Sequence, residues 1–169
     1  MQIYFKTSDF NVLTMRHKHS AGMQISLKRV DHAVLFEASN SRGHTVRIEG
    51  RRDMGGSESA PTPTEYLLMS HAGCTAIDVV ELLRKMRQPL VHLELESQGH
   101  MEEDRLPKVF TTIHLHYRLF GDIQPEKAEK AISMSIEKYC TVSKMIDSVA
   151  RITHSFEIIS ENQPQDNPM

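Results

Sequence analysis

Apolar and polar positions along this chain fall into two periods. Three short stretches alternate with period two: "MQISLKRV" through Ile25 and Leu27, "HAVLFEAS" through Val34 and Phe36, and "HTVRIEG" through Val46 and Ile48. Such alternation turns one side of a strand to a core and the other to water. The step Asn40-Ser41-Arg42-Gly43 predicts a turn between the last two. A loop rich in Gly, Ser and Pro follows, "RRDMGGSESAPTPTE", and it ends at a helix start. Thr62 suits the N-cap, Pro63 the first helical position, and Glu65 completes a capping box three residues after Thr62.

That helix is expected to run to about Arg87 and to stop before Pro89. Leu67, Leu68, Ala72, Ala76, Val79, Val80 and Leu83 occupy a wide apolar arc, with almost no charge before Asp78. The pattern predicts a helix buried on most sides. Period two then returns. "VHLELESQG" alternates through Val91, Leu93 and Leu95, and "VFTTIHLHYRLF" puts Val109, Thr111, Ile113, Leu115, Tyr117 and Leu119 on one face. A second helix is expected after Pro125, through Ala128, Ala131, Ile132, Ile136, Tyr139 and Cys140, with "CTVSKMIDSVA" continuing it or restarting it after a kink. "RITHSFEII" closes the pattern as a strand. Strands in consecutive pairs around two helices predict an α+β fold built on antiparallel hairpins.

Length and charge narrow the possibilities. The chain has 169 residues, enough for one domain with a full core. Residues 23–160 are the expected domain, 1–22 an extension without clean periodicity, and 161–169 a polar, disordered tail. A net charge of −2 and a pI near 6.5 give no long-range pull toward nucleic acid or an anionic membrane. No stretch approaches the roughly 20 apolar residues of a membrane span. The first 22 residues lack the apolar run of a secretory signal. With only two cysteines, a disulfide scaffold is excluded and a reducing cytosol is the expected compartment.

Candidate chemistry therefore centres on Cys74 and Cys140. Two readings stand: inert core cysteines, or a redox pair. Ala72, Gly73 and Thr75 leave room around Cys74, and His71 lies three residues earlier on the same helical face. A cationic His71 would favour a thiolate; as a surface or interface residue it would not act. His114 and His116 share one side of a strand without a zinc-type partner, which reads as a solvated polar face. No phosphate loop, nucleophile elbow or nucleic-acid motif is present in the sequence, and neither a cofactor nor a metal is expected.

"PTPTEYLLMSHAGCTAIDVVELLRK", "EKYCTVSKMID" and "ITHSFEI" together resemble the OsmC/Ohr family of thiol-dependent peroxidases, and within it the YhfA-like branch. The resemblance spans about Met23 to Ile159. It implies an intertwined homodimer with antiparallel sheets wrapped around two long central helices and active sites near the interface. It implies that Cys74 attacks the O–O bond of an organic hydroperoxide and that Cys140 resolves the sulfenic acid to a disulfide. A dithiol, lipoyl-type in some members, would then reduce that disulfide. Family members also use an arginine to stabilise the thiolate and a glutamate to orient the arginine. Glu65 and Arg42 are the candidates for these roles, with Arg51 or Arg52 where another branch keeps its arginine. The family glutamate directly follows the proline of the helix start, where this chain has Thr64, so Glu65 also fits a purely capping role. The rival reading is a non-enzymatic protein of the same fold that senses oxidants or binds a hydrophobic ligand.

Overall fold

A computed structural model describes residues 22–160, apart from 103 and 105, so the expected extension (save Gly22) and the tail lie outside the described residues. Strand β1 (Ile25–Arg29), β2 (Leu35–Asn40) and β3 (Thr45–Glu49) form an antiparallel meander in that order. The turn at Asn40–Gly43 closes on a Gly43 N–H to Asn40 carbonyl bond of 3.1 Å. Gly43 has φ +84, a region that glycine enters without a Cβ penalty. A 3-10 turn (Arg52–Met54) leads to helix α1 (Pro63–Lys85).

The start of α1 forms as its sequence dictates. Thr62 Oγ1 accepts from the Glu65 N–H, while the Glu65 carboxylate accepts from the Thr62 N–H at 2.7 Å. The helix ends at Lys85, two residues short of the expected Arg87. Long β4 (Leu90–Met101) and β5 (Phe110–Gly121) then pair antiparallel. Helix α2 (Pro125–Met134), a π-helical turn (Ser135–Tyr139) and helix α3 (Thr141–Ile146) carry the chain to β6 (Arg151–Ile159).

The α+β expectation holds, with three differences of detail. Strand β6 lies parallel to β5, because the helical crossover returns the chain to the same end of the sheet. Thr111 is exposed and Phe110 buried, opposite to the alternation expected there. The register shifts between His100 and Met101, so that Thr111 is an extra residue, and one extra residue reverses the faces beyond it. The second helix is broken, not long: it restarts at Cys140.

The core lies between the β4–β6 sheet and the helices. Ile113, Leu115, Tyr117 and Leu119 of β5 meet Val79, Leu82 and Leu83 of α1 and Ala128, Ala131 and Ile132 of α2. Each such Val, Leu or Ile side chain contributes roughly 1.5–3 kcal/mol by leaving water. His114 and His116 sit on the opposite face of β5, bonded to Thr153 and Ser155, as a polar strand face should be.

Helix α1 is buried along one stripe only. Val79 and Leu83 are buried, but Leu67, Val80 and Ile77 are exposed, the last at 68%. By length and composition α1 is also apolar enough to cross a membrane, contrary to the sequence expectation. Its packing against β4, α2 and α3 is that of a helix within a folded domain. The first sheet likewise leaves Ile25, Leu27 and Val46 exposed.

Candidate active site

Cys74 lies at the start of the fourth turn of α1, with Gly73 beside it facing open space. Cys140 is placed by a break in the second helical segment. Its N–H donates to the Ser135 carbonyl at 2.8 Å, closing the π turn five residues back. Its backbone then becomes extended (φ −68, ψ 109), and Cys140 becomes the N-cap of α3, Sγ accepting from the Ser143 N–H at 3.3 Å. π turns inside helices concentrate at functional sites. Here the turn brings a buried thiol against α1.

The two sulfurs meet. Cys74 Sγ, Cys140 Sγ and a carboxylate oxygen of Asp78 all lie within 4.8 Å of one another. Both thiols are free. Asp78 stands one helical turn after Cys74, on the same face. Ser135 Oγ donates to Asp78 Oδ2 at 3.1 Å, which fixes the carboxylate. Tyr117 of β5 is fully buried, and its hydroxyl makes no hydrogen bond of good geometry.

Burial pushes the Cys140 thiol up, and a hydrogen bond with Cys74 adds to this; the Ser143 contacts oppose it. Burial thus favours the protonated thiol at Cys140, which faces Cys74. Burial also pushes Tyr117 up to about 12, so its hydroxyl keeps its proton; the Thr75 hydroxyl pulls the other way, and the charges of Cys140 and Asp78 push it further up.

His71 differs from the sequence reading. It is fully buried, its Nε2 bonded to Ser143 Oγ at 2.9 Å and its Nδ1 without a partner. Burial pushes its pKa below the ordinary 6.5 and favours the neutral ring. It therefore supplies no cation to a thiolate and instead braces α1 against α3.

The other expected residues have partners elsewhere and make no hydrogen bond or ion pair with either sulfur. Glu65 is engaged in the capping box, and its hydrogen bonds to Thr62 lower its pKa. Arg42 is exposed in the β2–β3 turn, where its N–H caps onto the Asn40 side chain. Arg51 pairs with Asp53 at 2.7 Å and Arg52 with Glu58 at 3.7 Å. Arg51, Arg52, Glu65 and Met69 line an open cleft of about 590 Å³ between the loop after β3 and the start of α1; Cys74 does not line it. Among the described residues no arginine or lysine hydrogen-bonds or ion-pairs with either cysteine or with Asp78.

Sequence reasoning missed Asp78, Ser135, Ser143 and Tyr117. The four-residue spacing from Cys74 to Asp78 was a usable signal. The other three reach the site only through tertiary packing.

A family model described as "OsmC-like protein" matches residues 55–155. Protein YhfA of Escherichia coli (strain K12) is 35% identical over 139 residues, covering 82% of this chain and 99% of its own. A crystal structure of a hypothetical protein from Aquifex aeolicus VF5 is similar at 26% identity and TM-score 0.73, covering 83% of this chain and 98% of that one. An organic hydroperoxide resistance protein OsmC from Legionella pneumophila shares the fold at 15% identity and TM-score 0.66, over 83% of this chain and 99% of that one.

Proposed function

The chain belongs to the OsmC-like family, and from that premise we propose that it is a thiol-dependent peroxidase acting on organic hydroperoxides through Cys74 and Cys140. The observation that carries the proposal is the meeting of two free thiols, 66 positions apart in sequence, within 4.8 Å. The hydroperoxide-resistance relative from Legionella supports the choice of substrate class.

The Cys74 thiolate attacks one peroxide oxygen. The O–O bond breaks, the alkoxide takes up a proton and leaves as an alcohol, and Cys74 becomes a sulfenic acid. Cys140 Sγ then attacks Cys74 Sγ, and the hydroxyl leaves as water with the Cys140 proton. A disulfide needs the sulfurs near 2.05 Å, a movement of side chains within the space they already share. An external dithiol reduces the disulfide and is itself oxidised. A cytoplasmic setting, where dithiols are kept reduced, belongs to the same reading.

The exposed apolar side of α1 and of the first sheet supports assembly as a homodimer. A second reading, oxidant sensing or hydrophobic-ligand binding without turnover, is favoured by one observation: no arginine bonds to Cys74 among the described residues. Turnover separates the two. Cumene hydroperoxide should be consumed with a dithiol, and Cys74→Ser should abolish consumption. Inactivity of the intact protein across several dithiols would defeat the enzyme reading.

A further inference from the structure

Two sulfurs and a carboxylate converge where, among the described residues, no lysine or arginine hydrogen-bonds or ion-pairs with them. Each further negative charge in such a space is disfavoured by those already there. A cation removes that conflict. We propose that the reduced protein binds a thiophilic divalent cation, zinc foremost, between Cys74, Asp78 and Cys140. All three ligands come from one chain, and the proposal does not depend on peroxide turnover.

Thiolate sulfur with carboxylate oxygen suits zinc, which takes four ligands at roughly 2.0–2.3 Å, so that neighbouring donor atoms stand about 3.5–4 Å apart. Donors already within 4.8 Å need only rotamer adjustments to close on an ion. Three protein ligands leave a fourth position for water, the arrangement of an open site.

Metal ligands are ordinarily held by outer hydrogen bonds. Asp78 is held by Ser135, and Cys140 by the Ser143 N–H. Tyr117 presents a fully buried hydroxyl whose one neighbouring hydroxyl, that of Thr75, makes no hydrogen bond of good geometry with it, and it lies within electrostatic reach of both Cys140 and Asp78. An ion carrying water would give that hydroxyl something to bond. Cys74 and Asp78 are partly exposed while Cys140 is buried, so an ion enters past the first two and stops at the third.

Binding converts two thiols to thiolates and releases two protons. It also withdraws both sulfurs from other chemistry, so zinc should shield them from alkylation.

The test is a titration of the reduced, full-length protein with cobalt(II), whose tetrahedral thiolate complexes absorb by sulfur-to-cobalt charge transfer. One equivalent should give that band, and zinc should displace cobalt. The band should vanish in Cys74→Ser and in Cys140→Ser, and Asp78→Asn should weaken apparent affinity at least tenfold. His114→Gln with His116→Gln should leave it unchanged, since the chain's ten histidines offer adventitious sites without sulfur. Thermal melts of the metal-free variants check folding. If a cysteine variant fails to fold, the wild-type protein decides, because zinc should slow its alkylation by iodoacetamide at least tenfold. No charge-transfer band at stoichiometric cobalt, a band intact in Cys74→Ser, an affinity unchanged in Asp78→Asn, or alkylation indifferent to zinc would overturn the proposal.

Discussion

The backbone N–H of Ser143 donates to Sγ of Cys140, so one sulfur atom both caps α3 and faces the thiol of Cys74. Cys140→Ala should therefore cost folding stability as well as resolution. Loss of an N-cap acceptor is worth about 1 kcal/mol. Cys140→Ser keeps an acceptor and should recover most of that loss. Urea denaturation of the three proteins measures the difference, and equal midpoints for Ala and Ser would remove the capping role.

Glu65 supports a helix end. Its carboxylate accepts from the Thr62 N–H and hydroxyl, both at 2.7 Å. Glu65→Ala should lower stability by about 0.5–1 kcal/mol. Glu65→Gln, which keeps an acceptor oxygen, should lie close to the parent. A Gln variant as unstable as the Ala variant would mean that the charge, not the hydrogen bond, matters.

The pH profile of stability should have two descending limbs. Glu49 is buried and accepts from the N–H groups and hydroxyls of Ser57 and Ser59 and from the Ala60 N–H. The Ser57 N–H is the leading cause that holds its carboxyl at about 2, against 4.5 for an ordinary glutamate. A depressed carboxyl stabilises the fold above the unfolded value and loses that contribution as pH falls through the folded one. Stability should thus decline between pH 4.5 and 2, and Glu49→Gln should flatten this limb. His71, also depressed, adds a decline that begins as pH falls below 6.5, because the unfolded ring binds the proton first. Melting temperatures across pH test both. Glu49→Gln tracking the parent below pH 4.5 would remove Glu49 from the account.

The exposed apolar side of α1 makes assembly testable. Ile77→Asp places a charge where 68% of an isoleucine stands in water in one chain. If a partner covers it, the substitution should raise the dimer dissociation constant tenfold or more, the equivalent of about 1.4 kcal/mol. Analytical ultracentrifugation should find a dimeric parent. A monomeric parent would count against the homodimer.

How much of this was legible depended on how local the cause was. The start of α1 was legible because Thr62, Pro63 and Glu65 act on each other within one turn. The hairpin at Asn40–Gly43 was legible for the same reason. Neither Pro nor Gly marks the break at Cys140, which is visible in the sequence only as two possible continuations. The reversal at Thr111 depends on the register of β4, and the parallel pairing of β6 on the path of the crossover; neither is written near the residues concerned. His71 read as a surface or interface residue because its partner, Ser143, is 72 positions away. The cysteine pair was visible through resemblance to a family. The carboxylate beside it was visible through helical spacing and was passed over.

The most direct measurement of the central claim is a single turnover. The reduced protein should be treated with one equivalent of cumene hydroperoxide, its free thiols counted, and its peptides mapped by mass spectrometry. Both thiols should be lost together, with an intramolecular Cys74–Cys140 disulfide formed, and the one remaining thiol, Cys140, should survive in Cys74→Ser. Survival of both thiols in the parent, or oxidation of Cys140 in Cys74→Ser as fast as in the parent, would contradict the claim.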